Sequence, residues 1–199
     1  MKKLFLTLTL AIAAVVGANA QKTLQDIYIR DPYIMPVEKE GVYYMYASSP
    51  TTENGQTYGG MVAWKSKDLK TWEGPVRVFD VPRDNWITGT VWAPEVHKYK
   101  GKYYLFATLN SDILWKATAP DHPVYSHRAT QIFWSKNPEG PFLPFESKHP
   151  HTPLGEMCLD GTLWVENGTP YMIYCHEWVE LMDGTMELVE LKKDLSATV

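Results

Sequence analysis

The sequence LDGTLWVENGTPYMIYC, residues 159–175, carries the signals of a β-hairpin. Asn167-Gly168 separates two apolar, strand-like runs. An Asn-Gly pair in that setting is the strongest short-range hairpin signal, because both residues tolerate a positive φ. Asp160 opens the first run and Tyr171 opens the return run. The stretch therefore predicts two antiparallel strands joined by a two-residue turn.

Two earlier stretches repeat this pattern. They read IRDPYIMPVEKEGVYYMYAS from residue 29 and VWAPEVHKYKGKYYLFAT from residue 91. Aligning the return strands brings three tyrosines into one column at spacings of 60 and 67 residues: Tyr44, Tyr104 and Tyr171. The strand openings then form a second column, with a two-residue insertion in the first copy: Asp31, Ala93 and Asp160. Two of the three equivalent positions in that column carry a carboxylate.

The repeats predict an all-β fold, a β-propeller with blades at roughly 24–85, 86–150 and 151–199. Four-strand repeats of this length are typical of propeller blades, whereas solenoid repeats are shorter and usually helical. No segment has a sustained 3.6-residue apolar period, so we expect almost no helix in the mature chain. We expect loops over 48–60 and 110–129. A β-sandwich or jelly roll is the alternative, but neither has a reason to repeat one four-strand phrase.

The first 20 residues have the pattern of a secretory signal peptide. Lys2 and Lys3 precede an apolar run over 4–17, and Ala18-Asn19-Ala20 supplies the small residues of a cleavage site. A membrane anchor is the weaker interpretation, because the apolar run is shorter than the roughly 20 residues that a bilayer requires. We therefore predict a secreted or periplasmic protein, cleaved near Ala20, with no membrane insertion.

The charge of the mature chain excludes some partners. Without Lys2 and Lys3, 17 basic residues face 23 acidic ones, a formal charge of −6. Nucleic acid and anionic membrane surfaces both require a basic face, so neither is an expected partner.

The chain has 8 Trp and 12 Tyr residues. Aromatic faces bury the C–H faces of sugars, although a β core accounts for most of these rings.

Cys158 and Cys175 are the two cysteines of the chain. The register set by Asn167-Gly168 pairs Cys158 with Glu177 and Cys175 with Asp160, which makes the cysteines diagonal neighbours on one face of the hairpin. Diagonal neighbours sit further apart than a relaxed disulfide prefers. The expected register therefore disfavours a disulfide, even in an oxidising compartment.

The motifs IRDPYI, WAPEV and LDGTLWVENGTPYMIY, in this order, resemble glycoside hydrolase family 43. The resemblance extends from about Ile27 to Leu195. It implies a five-bladed propeller, of which about three blades are present and the ring is incomplete. It also implies inverting hydrolysis of arabinose- or xylose-containing plant cell-wall polysaccharides or oligosaccharides, as in arabinofuranosidases and xylosidases. By the same resemblance, Asp31 is the general base and Asp160 tunes the pKa of the general acid and orients it.

The sequence departs from the family pattern at the general acid, a Glu in a Glu-Gly-Pro-like phrase of blade four. The glutamates near the end of the chain do not stand in that phrase: Glu156, Glu177, Glu187 and Glu190. We therefore expect the acid beyond Val199 and interpret the chain as an N-terminal portion of the domain. Three blades would leave apolar faces exposed. We expect poor solubility or association with a complementing propeller segment.

The repeat column also has a chemical interpretation. Inverting hydrolysis needs two carboxyl groups about 6.5–9.5 Å apart, with a water between them. Equivalent positions on the innermost strands of a propeller face one mouth of the channel, so Asp31 and Asp160 are expected to meet there. Ala93 adds no carboxylate to crowd the sugar, and Arg30 could help keep Asp31 ionised. Asp-Pro and Asp-Gly are each common turn signals when taken singly, but their shared column favours a functional role.

Other candidate site residues are aromatic or basic. Trp92 is predicted to stack on a sugar, with a core position as the alternative, and His176 and Trp178 are predicted to line the mouth of the pocket. His149-Pro150-His151 lacks a third metal ligand at a suitable spacing, so a solvent-exposed loop is expected there and no metal residue is assigned. No cofactor is predicted. A structural metal in the channel, such as calcium, is kept as an alternative.

Two further functions compete with the inverting hydrolase. Fructan-cleaving propellers also use Asp-Pro motifs but retain configuration through a nucleophile, and the WAPEV phrase argues against them. A non-catalytic sugar-binding or scaffold propeller is the alternative outside enzymes. The anomer released would distinguish the fructan-cleaving type from the inverting hydrolase. Sugar binding without turnover would identify the non-catalytic propeller.

Overall fold

The computed structural model describes residues 21–115 and 124–199. The predicted signal peptide, residues 1–20, lies outside the described residues and stays a prediction. Within the described ranges the chain is nearly all β, with two short 3-10 helices, Leu24–Asp26 and Glu38–Glu40. Neither has the length or apolar character to span a bilayer. The expectation of almost no helix is confirmed.

The first blade is an antiparallel sheet in the order β1-β7-β6-β3-β2. Its strands are β1 (Lys22–Thr23), β2 (Tyr33–Val37), β3 (Val42–Ser48), β6 (Gly60–Ser66) and β7 (Thr71–Asp80), and a separate hairpin is formed by β4 (Thr51–Glu53) and β5 (Gln56–Tyr58). The loop predicted over 48–60 is therefore wrong. Asn54 and Gly55 have φ of 51° and 81°, the left-handed pair that a two-residue hairpin turn requires.

The second blade has the strand order β11-β10-β9-β8. Its strands are β8 (Val91–Tyr99), β9 (Lys102–Trp115), β10 (Tyr125–Ser135) and β11 (Leu143–Pro144). The long loop predicted over 110–129 is wrong at both ends, because β9 and β10 continue to the pair Trp115↔Tyr125. Aromatic pairs across strands stabilise such an extension even where the ribbon leaves the core.

The third blade consists of β12 (Cys158–Glu166), β13 (Thr169–His176) and β14 (Thr185–Glu190) in sequential order. Asn167 and Gly168 have φ of 50° and 77°, and Glu166 pairs with Thr169. The hairpin on which the sequence argument rests is therefore present as predicted.

The three blades pack side by side through apolar cores. One core joins blades one and two and includes Tyr46, Met61, Phe79, Leu105 and Phe133. Another joins blades two and three and includes Phe106, Ile132, Met172, Tyr174 and Leu191. Strand β8 contacts both β2 and β12, so the first strands of the three blades are neighbours. Within the described residues the sheets form an open β-propeller without a closed ring, as the sequence predicts.

The blade-three face opposite this core exposes Trp164, Met186 and Leu188. The pairing of Trp164 with Tyr171 and of Leu188 with Ile173 places these side chains on one face. These three exposed side chains form the apolar blade face that the sequence predicts. The predicted poor solubility or association with a complementing segment stays a prediction.

The register predicted for the cysteines is wrong. Pairing shifts by one residue between Leu159 and Thr162, so that Cys158 pairs with His176 and Cys175 with Leu159. The two thiols consequently lie on opposite faces of the sheet and are free. The cause is a β-bulge, in which one strand carries an additional residue relative to its partner.

Candidate active site

Three residues with a positive φ lie at the starts of the first strands of the blades: Asp31 precedes β2, and Ala93 and Asp160 are the third residues of β8 and β12. Asp31, Ala93 and Asp160 have φ of 48°, 37° and 54°, which is uncommon for residues with a Cβ. Ala93 and Asp160 lie in bulges, because pairing is interrupted between Trp92 and Glu95 and between Leu159 and Thr162. The column derived from the sequence is thus a shared backbone conformation. Bulges re-aim side chains next to active sites, and the strain of such a residue costs about 1–3 kcal/mol.

Blade two holds the bulge of blade three in place. The Asp160 amide donates to Thr108 Oγ1 at 2.9 Å, and the Gly161 amide donates to Thr130 Oγ1 at 3.2 Å. Glycine at 161 allows this close packing, because a Cβ there would lie 2.6 Å from Thr130 Cγ2 and 2.9 Å from Met172 Sδ. The Asp-Gly phrase therefore combines a directed carboxylate with close contact between blades.

The carboxyl of Asp160 lies in a negative environment. Partial burial raises its pKa, the charges of Asp31 and Glu95 raise it further, and Arg128 opposes them. Asp31 is thus close enough to act electrostatically on Asp160, although Asp160 lines neither of the two clefts described below. The Asp31 side chain is 54% exposed and lies 3.1 Å from Arg30 Nε. The two aspartates differ in environment: one is solvated and paired with a cation, and the other is partly desolvated.

Glu95 brings a third carboxylate to this region, which the sequence analysis missed. It lies two residues after Ala93 on β8. Its Oε2 is 2.8 Å from His97 Nε2. Burial acts to raise the pKa of Glu95, but hydrogen bonds with His97 and Thr162 outweigh it and lower the pKa. Ala93 itself adds no carboxylate to the site, but blade two supplies one two residues further along, at Glu95.

Arg128 connects the candidate sugar platform to blade three. Its guanidinium lies 4.5 Å from the ring centroid of Trp92, 5.5 Å from that of Tyr125, and 3.1 Å from Glu177 Oε1. Arg128 and Glu177 are both buried. Burial raises the pKa of the Glu177 carboxyl, Arg128 lowers it, and Asp160 raises it. No local sequence pattern indicates this role of Arg128, because its partners Trp92 and Glu177 lie in distant segments of the chain.

Two clefts contain most of the predicted site residues. One, of about 290 Å³, is lined by Arg30, Asp31 and Trp92 together with Ser48, Thr90, Val91 and Ala93. The other, of about 350 Å³, contains Trp178 beside Arg128 and Glu177. Trp92 and Trp178 are 40% and 46% exposed, so both rings present accessible faces. A larger cavity of about 620 Å³ adjoins the first cleft at Thr90 but does not include either aspartate.

The histidines are placed differently from the other candidates. His176 lines neither cleft, since its ring nitrogens contact Glu180 and Glu187 on the face toward blade two. His151 is buried, accepts from the Ile132 amide at 3.1 Å and lies 3.2 Å from the Leu195 carbonyl. The expected solvent-exposed loop therefore holds for His149 and is wrong for His151, which is a packed core histidine.

Comparison with known proteins identifies the family to which this fold belongs. The model of the glycosyl hydrolases family 43 matches residues 25–199. No curated protein matches the sequence. The solved endo-arabinase from Bacteroides thetaiotaomicron is 34% identical with a TM-score of 0.72, over 89% of this chain and 55% of that one.

Two further structures agree. A thermostable family-43 glycoside hydrolase is 26% identical, with a TM-score of 0.64, over 86% of this chain and 50% of that one. An endo-1,4-β-xylanase from Bacteroides thetaiotaomicron is 25% identical, with a TM-score of 0.58 and the same coverage. The propeller is thus of the glycosidase type, and the chain belongs to glycosyl hydrolase family 43. It spans about half the length of these structures.

Proposed function

We propose that the protein is a glycosidase that hydrolyses arabinan-type plant polysaccharides or oligosaccharides with inversion, and xylose-containing ones as the second choice. The proposal is supported by one observation: Asp31 and Asp160 occupy matching positive-φ positions of blades one and three, and the charge of Asp31 acts to raise the pKa of Asp160. The higher identity to the endo-arabinase than to the xylanase favours arabinose over xylose. The signal-peptide pattern supports action outside the cytoplasm, in a secreted or periplasmic setting.

Asp31 is the proposed general base. Its carboxylate is 54% exposed, so water can approach it, and it lies 3.1 Å from the Arg30 guanidinium. An ionised carboxylate can accept a proton from the water that attacks the anomeric carbon. Arg30, in the same cleft, is also proposed to contact the sugar.

Asp160 is the proposed tuner and orienter of the general acid. A carboxylate near the acid raises that group's pKa by like-charge repulsion, which keeps the acid protonated until the leaving oxygen needs the proton. Glu95 adds to the same negative field. We assign the acid itself to no residue of this chain. Trp92 and Trp178 are the proposed sugar platforms, one in each cleft, since indole faces stack on sugar C–H groups.

Hydrolysis of linear arabinan and of xylan by the domain extended through blade five, followed by reducing-end release, tests the proposal, because the general acid is expected beyond Val199. D31N is expected to lower kcat by about 10²–10⁴-fold, the usual contribution of a general base, and D160N is expected to lower kcat through its effect on the acid. D183N, which changes an exposed aspartate outside the site, serves as the matched control. Proton NMR of the first product should show an anomeric configuration opposite to that of the cleaved linkage.

Two outcomes would replace this proposal. Retained configuration would support the fructan-type mechanism with a nucleophile. Calorimetric binding of arabino-oligosaccharides that is lost in W92A, together with no turnover of any polysaccharide even by the domain extended through blade five, would support a non-catalytic sugar-binding propeller.

A further inference from the structure

A second cluster of ionisable side chains lies between blades two and three, outside both clefts. His176 ends β13, Glu187 lies on β14, and Glu156 precedes β12. One donor atom from each of the three lies within 4.8 Å of the other two. His176 Nδ1 is 3.1 Å from Glu187 Oε1 and 3.8 Å from Glu156 Oε2. Residues from three separate segments thus direct a nitrogen and two oxygens at one point.

The other imidazole nitrogen is held by a different carboxylate. His176 Nε2 lies 2.8 Å from Glu180 Oε2. Glu180 in turn accepts from the Met157 amide at 2.7 Å and from Trp115 Nε1 at 3.0 Å. With a metal bound, the ring would keep its proton on Nε2 and present the Nδ1 lone pair to the ion between Glu156 and Glu187. A carboxylate that receives the second N–H of a histidine is the usual support of a metal-ligating imidazole.

Glu187 is oriented as well. Its Oε2 accepts from the Tyr174 hydroxyl at 3.0 Å, and its Oε1 accepts from the Thr185 hydroxyl at 3.0 Å. These bonds fix the carboxylate plane beside the imidazole. Two of the three donor groups are therefore positioned by outer contacts, so little reordering is needed when a ligand binds.

The cluster also carries negative charge that nearby cations do not offset. Among residues 21–115 and 124–199, no Lys or Arg nitrogen lies within 4.0 Å of Glu156 or Glu187. A single imidazole supplies at most one positive charge. The His176 side chain is 10% exposed, whereas those of Glu156 and Glu187 are 38% and 35% exposed. The site is enclosed on the histidine side and open to solvent on the carboxylate side, which gives an ion a route of entry.

We propose that Glu156, His176 and Glu187 bind a Zn²⁺ ion, with water in the fourth position. Zinc takes histidine nitrogen and carboxylate oxygen at about 2.0–2.2 Å, so donors of a tetrahedral site lie about 3.3 Å apart. The observed 3.1 and 3.8 Å separations are close to that geometry. Calcium instead takes six to eight oxygen ligands. The ion would join the loop before β12 to the ends of β13 and β14, and its binding does not depend on the proposed hydrolysis.

Calorimetric titration of the chelator-treated full chain with ZnCl₂ is the direct test. We expect one equivalent to bind, a higher melting temperature with Zn²⁺, and no comparable effect of CaCl₂ or MgCl₂. H176N should abolish binding, E156Q and E187Q should each weaken it at least tenfold, and E180Q should weaken it by about 10–100-fold through the outer contact. E190Q on the same strand and H149N at an exposed histidine are matched controls and should bind as the unmodified protein does.

The unmodified protein gives a second readout that no folding defect of a variant can confuse. Co²⁺ in place of Zn²⁺ should give the intense visible absorption of a four-coordinate nitrogen and oxygen site. The proposal is overturned if Zn²⁺ produces neither binding heat nor a melting shift, if H176N and E187Q bind as tightly as the controls, or if Co²⁺ shows only the weak spectrum of the hydrated ion.

Discussion

Replacing Arg128 with methionine would leave the Glu177 carboxylate buried without its partner. The two side chains are 7% and 4% exposed, and their charged atoms lie 3.1 Å apart. Removing one member of a buried ion pair costs about 3–5 kcal/mol, because the remaining charge is uncompensated. A loss of that size lowers the melting temperature of a domain of 150–250 residues by about 6–20 °C. Scanning calorimetry or circular dichroism measures such a change directly.

Removing both partners provides the control. R128M/E177L should recover most of the stability lost in R128M, since an apolar replacement of a buried pair is often nearly neutral. R83M tests an exposed pair at 2.9 Å, with side chains 48% and 59% exposed, and should cost at most about 1 kcal/mol. A loss below 1 kcal/mol in R128M, or a double variant as unstable as the two single changes combined, would refute this reasoning.

The cost of R128M should also depend on pH. Burial and Asp160 raise the pKa of Glu177 in the folded protein, and Arg128 opposes them, so its removal raises that pKa further. A carboxyl whose folded pKa lies above its unfolded value favours folding at low pH, and this contribution is lost as the pH rises through the folded pKa. The destabilisation should therefore be smaller near about pH 5 than near about pH 8. Chemical denaturation at both pH values tests the sign.

Three further changes have defined outcomes. G161A should cost about 1–3 kcal/mol, because the new methyl would lie 2.6 Å from a methyl carbon of blade two, whereas G155A meets nothing within 4 Å and should be nearly neutral in urea melts. Burial lowers the pKa of His151 to about 4, so stability should be full above its ordinary value of 6.5 and fall as the pH drops from there toward 4; a flat melting profile over this range would contradict the buried, neutral imidazole. D31N should lower the pKa of Asp160, which ¹³C NMR of the carboxyl measures, and an unchanged value would mean that the aspartates do not face each other.

Local signals explain how much of the fold could be predicted. Asn167-Gly168 and Lys100-Gly101 form left-handed turn pairs as their sequence indicates. Repetition of the hairpin then identifies the blades, because each copy must bury the same faces. The column of Asp31 and Asp160 followed from the same alignment, since equivalent strand openings take equivalent backbone conformations.

Features that depend on distant segments escaped prediction. Counting residues from the turn gave the wrong partner for Cys158, because the bulge at Asp160 becomes visible only when blade two supplies acceptors for its amides. Arg128 is buried by partners on other strands. The position of Glu95 beside Asp160 depends on how β8 and β12 lie against each other. Each case couples residues whose separation in the chain hides their contact.

Hydroxyl groups of Thr108 and Thr130 hold the backbone of the Asp160 turn, although they belong to the preceding blade. A gene duplication that copied the third blade alone would carry the Asp-Gly motif without the acceptors that give it its shape. Chimaeras of related enzymes should accordingly preserve the backbone conformation of Asp160 only when residues 108–161 are inherited from a single parent.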